Sequence, residues 1–142
     1  MTENNKHLSR FLDAQERTYD QALKEIKQGS KTSHWMWFIF PQVEGLGLSE
    51  TSRYYAIKNK REAEQYLQHP LLGSRLIEIC NALLALQTND PVKVFGSIDA
   101  IKLKSSMTLF SHAAPTTEVC RQVLEKFFNG ETDQKTIQLL KD

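Results

Sequence analysis

His34 is the titratable side chain best placed for chemistry, because it stands at a predicted helix start beside Trp35. A helix N-terminus favours the neutral imidazole, which can both donate and accept a hydrogen bond. The same ring serves equally well as a structural group securing the aromatic block that follows. In that block Trp35, Met36, Trp37, Phe38, Ile39 and Phe40 run without a break into Pro41. Trp35 and Trp37 are the rings best suited to a ligand, since each keeps a polar N–H. Apolarity all round makes most of the block core. Lys102 and Ser106 stand one helical turn apart and can hold an anionic group, although Lys102 can instead pair with Asp99 at i,i+3. Gln42, Ser49, Ser52, Arg53 and Tyr54 surround or follow Gly45-Leu46-Gly47 and offer further polar contacts, unless capping and turn duty occupy them. Gln15 and Ser105 fall inside apolar helix faces. A buried amide without partners costs about a few kcal/mol, so Gln15 is expected to anchor a hydrogen-bond network.

No standard catalytic pattern joins these residues. Gly45-Leu46-Gly47 is too short for a phosphate loop, and there is neither a nucleophile elbow nor an H-E-x-x-H. His7, His69 and His112 lie in a polar tail, before a proline and at a helix end, so no local spacing makes a ligand set. No metal and no cofactor is expected. The net charge of +1, with acids and bases interspersed, argues against a duplex nucleic-acid binder. Cys80 and Cys120 each fall on an apolar stripe and read as small buried thiols. The polar Met1–His7 stretch has no apolar core of a signal peptide, and no apolar run approaches the ~20 residues of a membrane span. These features place the chain in the cytoplasm.

The elements that must position these residues are helical. Leu8, Phe11, Leu12, Tyr19, Leu23 and Ile26 mark one face of a helix that Gly29 ends. A short apolar block without a period fits a helix or a buried strand; helix is favoured because the rest of the chain supplies no strand partners, so Ser33 is expected to cap a buried helix over residues 34–40, which Pro41 stops. A loop from Gln42 to Leu48 leads into a short helix carrying Tyr54 and Tyr55. Asn59 caps the next, and His69-Pro70 separates it from a long helix with Leu72, Leu76, Ile79, Cys80 and Leu83 inward. Asp90-Pro91 opens a helical turn closed by Gly96. From Ser97 to about Ser111 a helix is apolar on two sides: Ile98, Ile101 and Leu109 on one, and Leu103, Met107 and Phe110 nearly opposite. Such a helix is sandwiched between layers, with Asp99, Lys102 and Ser106 on a polar edge. An amphipathic helix through Phe128 and a last one, capped by Thr132 and burying Ile137 and Leu140, complete the chain. The 142 residues fit one all-α domain of about seven to nine helices, with residues 1–7 a flexible tail.

Arg10-Phe11, the segment from Lys31 to Gln42 with its His-Trp-Met-Trp-Phe block, Gly45 to Ser49, His69 to Gly73 and Lys102 to Phe110 resemble a family of small, mostly bacterial proteins often labelled "calpastatin". The resemblance spans nearly the whole chain. It implies an all-helical fold, supporting a helix at residues 34–40, and no established activity, so it assigns no catalytic residue.

The functional expectation is a pocket for a small polar or anionic ligand, a nucleotide-like one among the candidates, beside the aromatic block. Its candidate wall is Gln15, His34, Trp35, Trp37, Gln42, Ser49, Tyr54, Lys102, Ser105 and Ser106. The rival expectation is a helical protein–protein interaction module without catalytic activity, making contact through its C-terminal helix.

Overall fold

The computed structural model describes residues 7–140. Among them the chain forms ten helices and no strand: α1 (Ser9–Glu16), α2 (Tyr19–Gln28), α3 (Met36–Ile39), α4 (Glu50–Tyr54), α5 (Lys60–Gln68), α6 (Pro70–Leu84), α7 (Pro91–Phe95), α8 (Ser97–Ala113), α9 (Glu118–Phe128) and α10 (Gln134–Leu140). None of the described helices is long and apolar enough to cross a membrane. The fold is a compact all-α domain built around α8, which packs against α5, α7, α9 and α10. α6 closes the other side of the core against α2, α5 and α9. One hydrophobic cluster runs from Leu8 to Phe127.

The expected start and stop signals act at most boundaries. Ser49 Oγ accepts from Ser52 N at 3.1 Å, Asn59 Oδ1 from Glu62 N at 2.9 Å, and Asp90 Oδ1 from Val92 N at 3.0 Å. His69 ends α5 and caps α6, its Nδ1 accepting from Leu71 N at 3.2 Å ahead of Pro70 at the first helical position.

Several expectations are corrected. The first stripe is two helices, because the chain breaks at Arg17–Thr18 before α2 begins. Ser33 does not cap α3; its hydroxyl donates to Glu25 instead, and α3 covers only Met36–Ile39. Residues 34–40 are not uniformly buried: His34 is exposed, and Trp37 and Phe38 are half-buried. Ser97 lies inside α8, whose N-cap is Gly96. The last helix is capped by Asp133 rather than Thr132, Asp133 Oδ2 accepting from Thr136 N at 3.0 Å. The fully buried residue there is Thr136, with Ile137 and Leu140 half-buried. Of the expected tail, residues 1–6 lie outside the described residues, whereas His7 is tied down by Gln65 Oε1 at 3.0 Å.

Candidate functional site

Glu25 organises the aromatic block. It sits on the same stripe of α2 as Ala22 and Ile26, and only 1 % of it is exposed. Five donors converge on its carboxylate: Thr32 N at 2.8 Å, Ser33 N at 3.1 Å, Ser33 Oγ at 2.6 Å, Gln21 Nε2 at 2.8 Å and Trp35 Nε1 at 2.9 Å. Burial pushes this carboxyl up, but the bonds from Ser33, Gln21, Thr32 and Trp35 outweigh it and hold Glu25 below the usual carboxylate range. The indole of Trp35 is thereby fixed in the core, against Phe40 and Phe95. Nothing in the local pattern except a carboxylate on an apolar stripe signals this role.

From Trp35 a run of charges leads outward. Lys31 Nζ lies 4.9 Å from the Trp35 ring centroid and 2.8 Å from Asp99 Oδ2. Asp99 Oδ1 lies 3.5 Å from Lys102 Nζ, which stands 5.3 Å from the Trp37 ring centroid. Lys102 thus makes the expected pair with Asp99 and also borders a cavity.

That cavity, about 350 Å³, opens between the exposed side of α8, the glycine loop and the start of α10. Ile98, Ile101 and Leu46 make its apolar wall; Gln42, Ser52, Lys102, Asp133 and Lys135 supply polar groups. The two-sided reading of α8 fails here: Ile98 is 71 % exposed and Ile101 64 % exposed, since no layer covers the first turns of that face. The loop reaches the cavity only because two positions are glycine. Gly45 has φ +105°, and a Cβ on Gly47 would stand 2.4 Å from Ser52 Cβ. A crevice with room for about one water, lined by Trp37, Gln42, Gly47, Ser52 and Tyr55, continues beneath it.

The structure thus brings together Gln42, Lys102, Ser105 and, through the crevice, Trp37. It places the other candidates elsewhere. Gln15 is the expected network anchor, donating to Phe38 O at 2.8 Å and Tyr66 Oη at 3.0 Å, inside the core. Trp35 is wholly buried. His34 lies two residues before α3, exposed. Ser49 serves α4 as its cap. Tyr54 faces a different hollow. Ser106 is fully buried, with an Oγ that has no partner among the described residues. Leu46, Ile98, Ile101, Asp133 and Lys135 were missed, because they meet only once α10 folds back on α8. Among the described residues no group of three or more His, Cys, Asp or Glu side chains gathers to hold a metal.

A compact all-α domain, with ten helices among the described residues and an amphiphilic cavity beside α8, defines the class. The chain belongs to the family described as protein of unknown function (DUF1810), whose model matches residues 5–140. It is also similar to the conserved hypothetical protein Rv1873 from Mycobacterium tuberculosis, known from a crystal structure. The two share 41% identity over 94% of this chain and 95% of that one, with a TM-score of 0.92. None of the curated proteins matches. The family match corrects the resemblance drawn from the sequence: neither the family description nor the relative's title carries a calpastatin label or names a His-Trp-Met-Trp-Phe signature.

Proposed function

We propose that the cavity beside α8 binds a small anionic ligand with an apolar portion. The observation that carries this reading is Lys102, whose ammonium is held between Asp99 and the Trp37 ring at the edge of a cavity walled by exposed isoleucines. An exposed apolar wall facing fixed polar groups is how small-molecule sites are built. Lys102 and Lys135 would meet the anionic end, Gln42 and Ser52 would supply hydrogen bonds, and Ile98, Ile101 and Leu46 would cover the apolar part. A cytoplasmic setting belongs to this proposal; both cysteines are free buried thiols.

Inorganic phosphate, phenyl phosphate and hexanoate serve as probes in a thermal-shift titration, since a ligand of the folded state raises the melting temperature by mass action. Phenyl phosphate or hexanoate should stabilise the protein more than inorganic phosphate, and Lys102→Ala should remove the effect. Equal shifts in the wild type and Lys102→Ala would overturn the proposal.

A second reading, the interaction module, draws on Ile98 and Ile101, which are exposed side by side on the cavity wall. It moves the expected contact from the C-terminal helix to this rim. Deleting Glu131 onward does not separate the readings, because Asp133 and Lys135 form part of the cavity wall. Lys135→Ala does: it weakens anion binding and leaves an apolar contact intact.

A further inference from the structure

A second hollow, about 400 Å³, lies on the other side of α4 and is lined by His7, Ser9, Arg10, Glu44, Arg53, Tyr54, Ala56 and Lys58. Adjacent positions on a helix point in different directions, so α4 divides the two cavities: Ser52 faces the first, Arg53 and Tyr54 the second. A smaller hollow of about 170 Å³ adjoins it, sharing His7 and Lys58 and adding Arg61.

We propose that this second hollow binds a nucleoside phosphate, with the base on Tyr54 and the phosphate between Arg53 and Lys58. The charge distribution is the first argument. Several cations are tied to carboxylates: Lys31 and Lys102 on Asp99, Lys104 on Glu131, Arg121 on Glu118 and Glu125. At the base of this hollow Arg10 is likewise spent. It donates to Ala56 O at 2.8 Å and to Glu62 Oε1 at 3.3 Å, and Glu62 also accepts from Lys58 N at 2.8 Å. Arg53, Lys58 and Arg61, all exposed, make no ion pair among the described residues. Arg53 and Lys58 thus line one hollow together, with Arg61 on the smaller hollow that adjoins it, and they stand ready for an external anion.

The second argument is the ring beside them. Tyr54 is 59 % exposed, yet it is not loose. Its ring packs edge-on against Tyr55 with centroids 4.8 Å apart, and Tyr55 rests on Phe38 at 5.2 Å and Phe11 at 6.0 Å. A ring fixed at the surface offers a face for stacking at small entropic cost. Cations interleaved with such a ring are the elements of nucleotide recognition. Glu44 is the remaining charged group in the wall, and its carboxylate can accept only from donors such as ribose hydroxyls.

This site stands apart from the cavity beside α8, and its test separates the two. AMP, adenosine, inorganic phosphate, 2′-deoxy-AMP and a single-stranded oligoadenylate are titrated calorimetrically into the full chain. AMP should bind more tightly than adenosine or phosphate alone. Tyr54→Ala and Lys58→Ala, both at exposed positions, should each weaken AMP about tenfold. Glu44→Gln should narrow the preference for AMP over 2′-deoxy-AMP. AMP binding unchanged in Tyr54→Ala and Lys58→Ala, or lost instead in Lys102→Ala, would overturn the proposal. So would an oligoadenylate that binds far more tightly than AMP, since the surface would then be a single-strand track, and so would the absence of any AMP binding.

Discussion

Glu25 shows how one side chain can fix a segment that contains almost no regular structure. Residues 31–35 have no helix of their own; Thr32 N, Ser33 N and Oγ, and Trp35 Nε1 all end on one buried carboxylate. Glu25→Ala strands several buried donors, each costing about 1–3 kcal/mol, so a loss of roughly 3–4 kcal/mol is expected from urea unfolding. The carboxyl is held below its ordinary range when folded and returns to it, near about 4.3, when unfolded. The unfolded state therefore binds the proton more readily, and Glu25 contributes its full stabilisation above that value. As pH falls from about 5 toward the folded pKa, this contribution is lost. The urea midpoint of the wild type should drop over that window, and in Glu25→Gln it should drop less; parallel curves would contradict the role given to the carboxylate. The two tryptophans separate in the same way. Trp35, fully buried, should cost about 3–5 kcal/mol on truncation to alanine. Trp37, half-buried beside Lys102, should cost less and weaken anion binding beside α8. Equal destabilisation by both truncations would mean that Trp37 is core.

At the level of elements, the helices were legible wherever a cap or stop residue sits next to a periodic stripe. Asn59, His69-Pro70 and Gly96 mark their boundaries by backbone chemistry that operates over a few residues. The break at Arg17–Thr18 carries no proline or glycine, so the 3.6-residue stripe runs on through it. Ile98 and Ile101 were legible as apolar but not as exposed, because exposure depends on which layer arrives, and none arrives there. Tertiary caps are equally silent in the sequence. Lys126 reaches from α9 to the end of α6, its Nζ donating to Leu83 O at 3.1 Å, to Leu84 O at 2.8 Å and to Leu86 O. A cation on the terminal carbonyls satisfies groups that the helix itself cannot. Lys126→Met keeps the stem and removes the charge, so it should lower stability by about 1.5–3 kcal/mol. Hydrogen exchange should quicken first over residues 80–86; a uniform change across the protein would argue against local capping.

Across the whole molecule, the sequence yields the all-α class and the core more readily than the site. Core residues repeat on helical stripes, and each stripe can be read alone. The cavity beside α8 joins Gln42, Lys102 and Asp133 across 91 positions, and only the docking of α10 on α8 makes them neighbours. That docking is specific: Thr108 Oγ1 accepts from Asp133 N at 2.9 Å, and Thr136 is fully buried. It ties the last helix to the central one, and α8 in turn touches α5, α7 and α9, with a single hydrophobic cluster threading them all. Such connectivity leaves no element that can unfold while the rest keeps its core, so one cooperative transition is expected. Tryptophan fluorescence reports the Glu25–Trp35 end, and far-ultraviolet circular dichroism reports all the helices. The two midpoints should coincide, with a calorimetric heat-capacity change of about 1.7–2.1 kcal/mol/K for a chain of this length. A second transition, with fluorescence unchanged while helix is lost, would show that α9 and α10 form a separate unit docked on the rest.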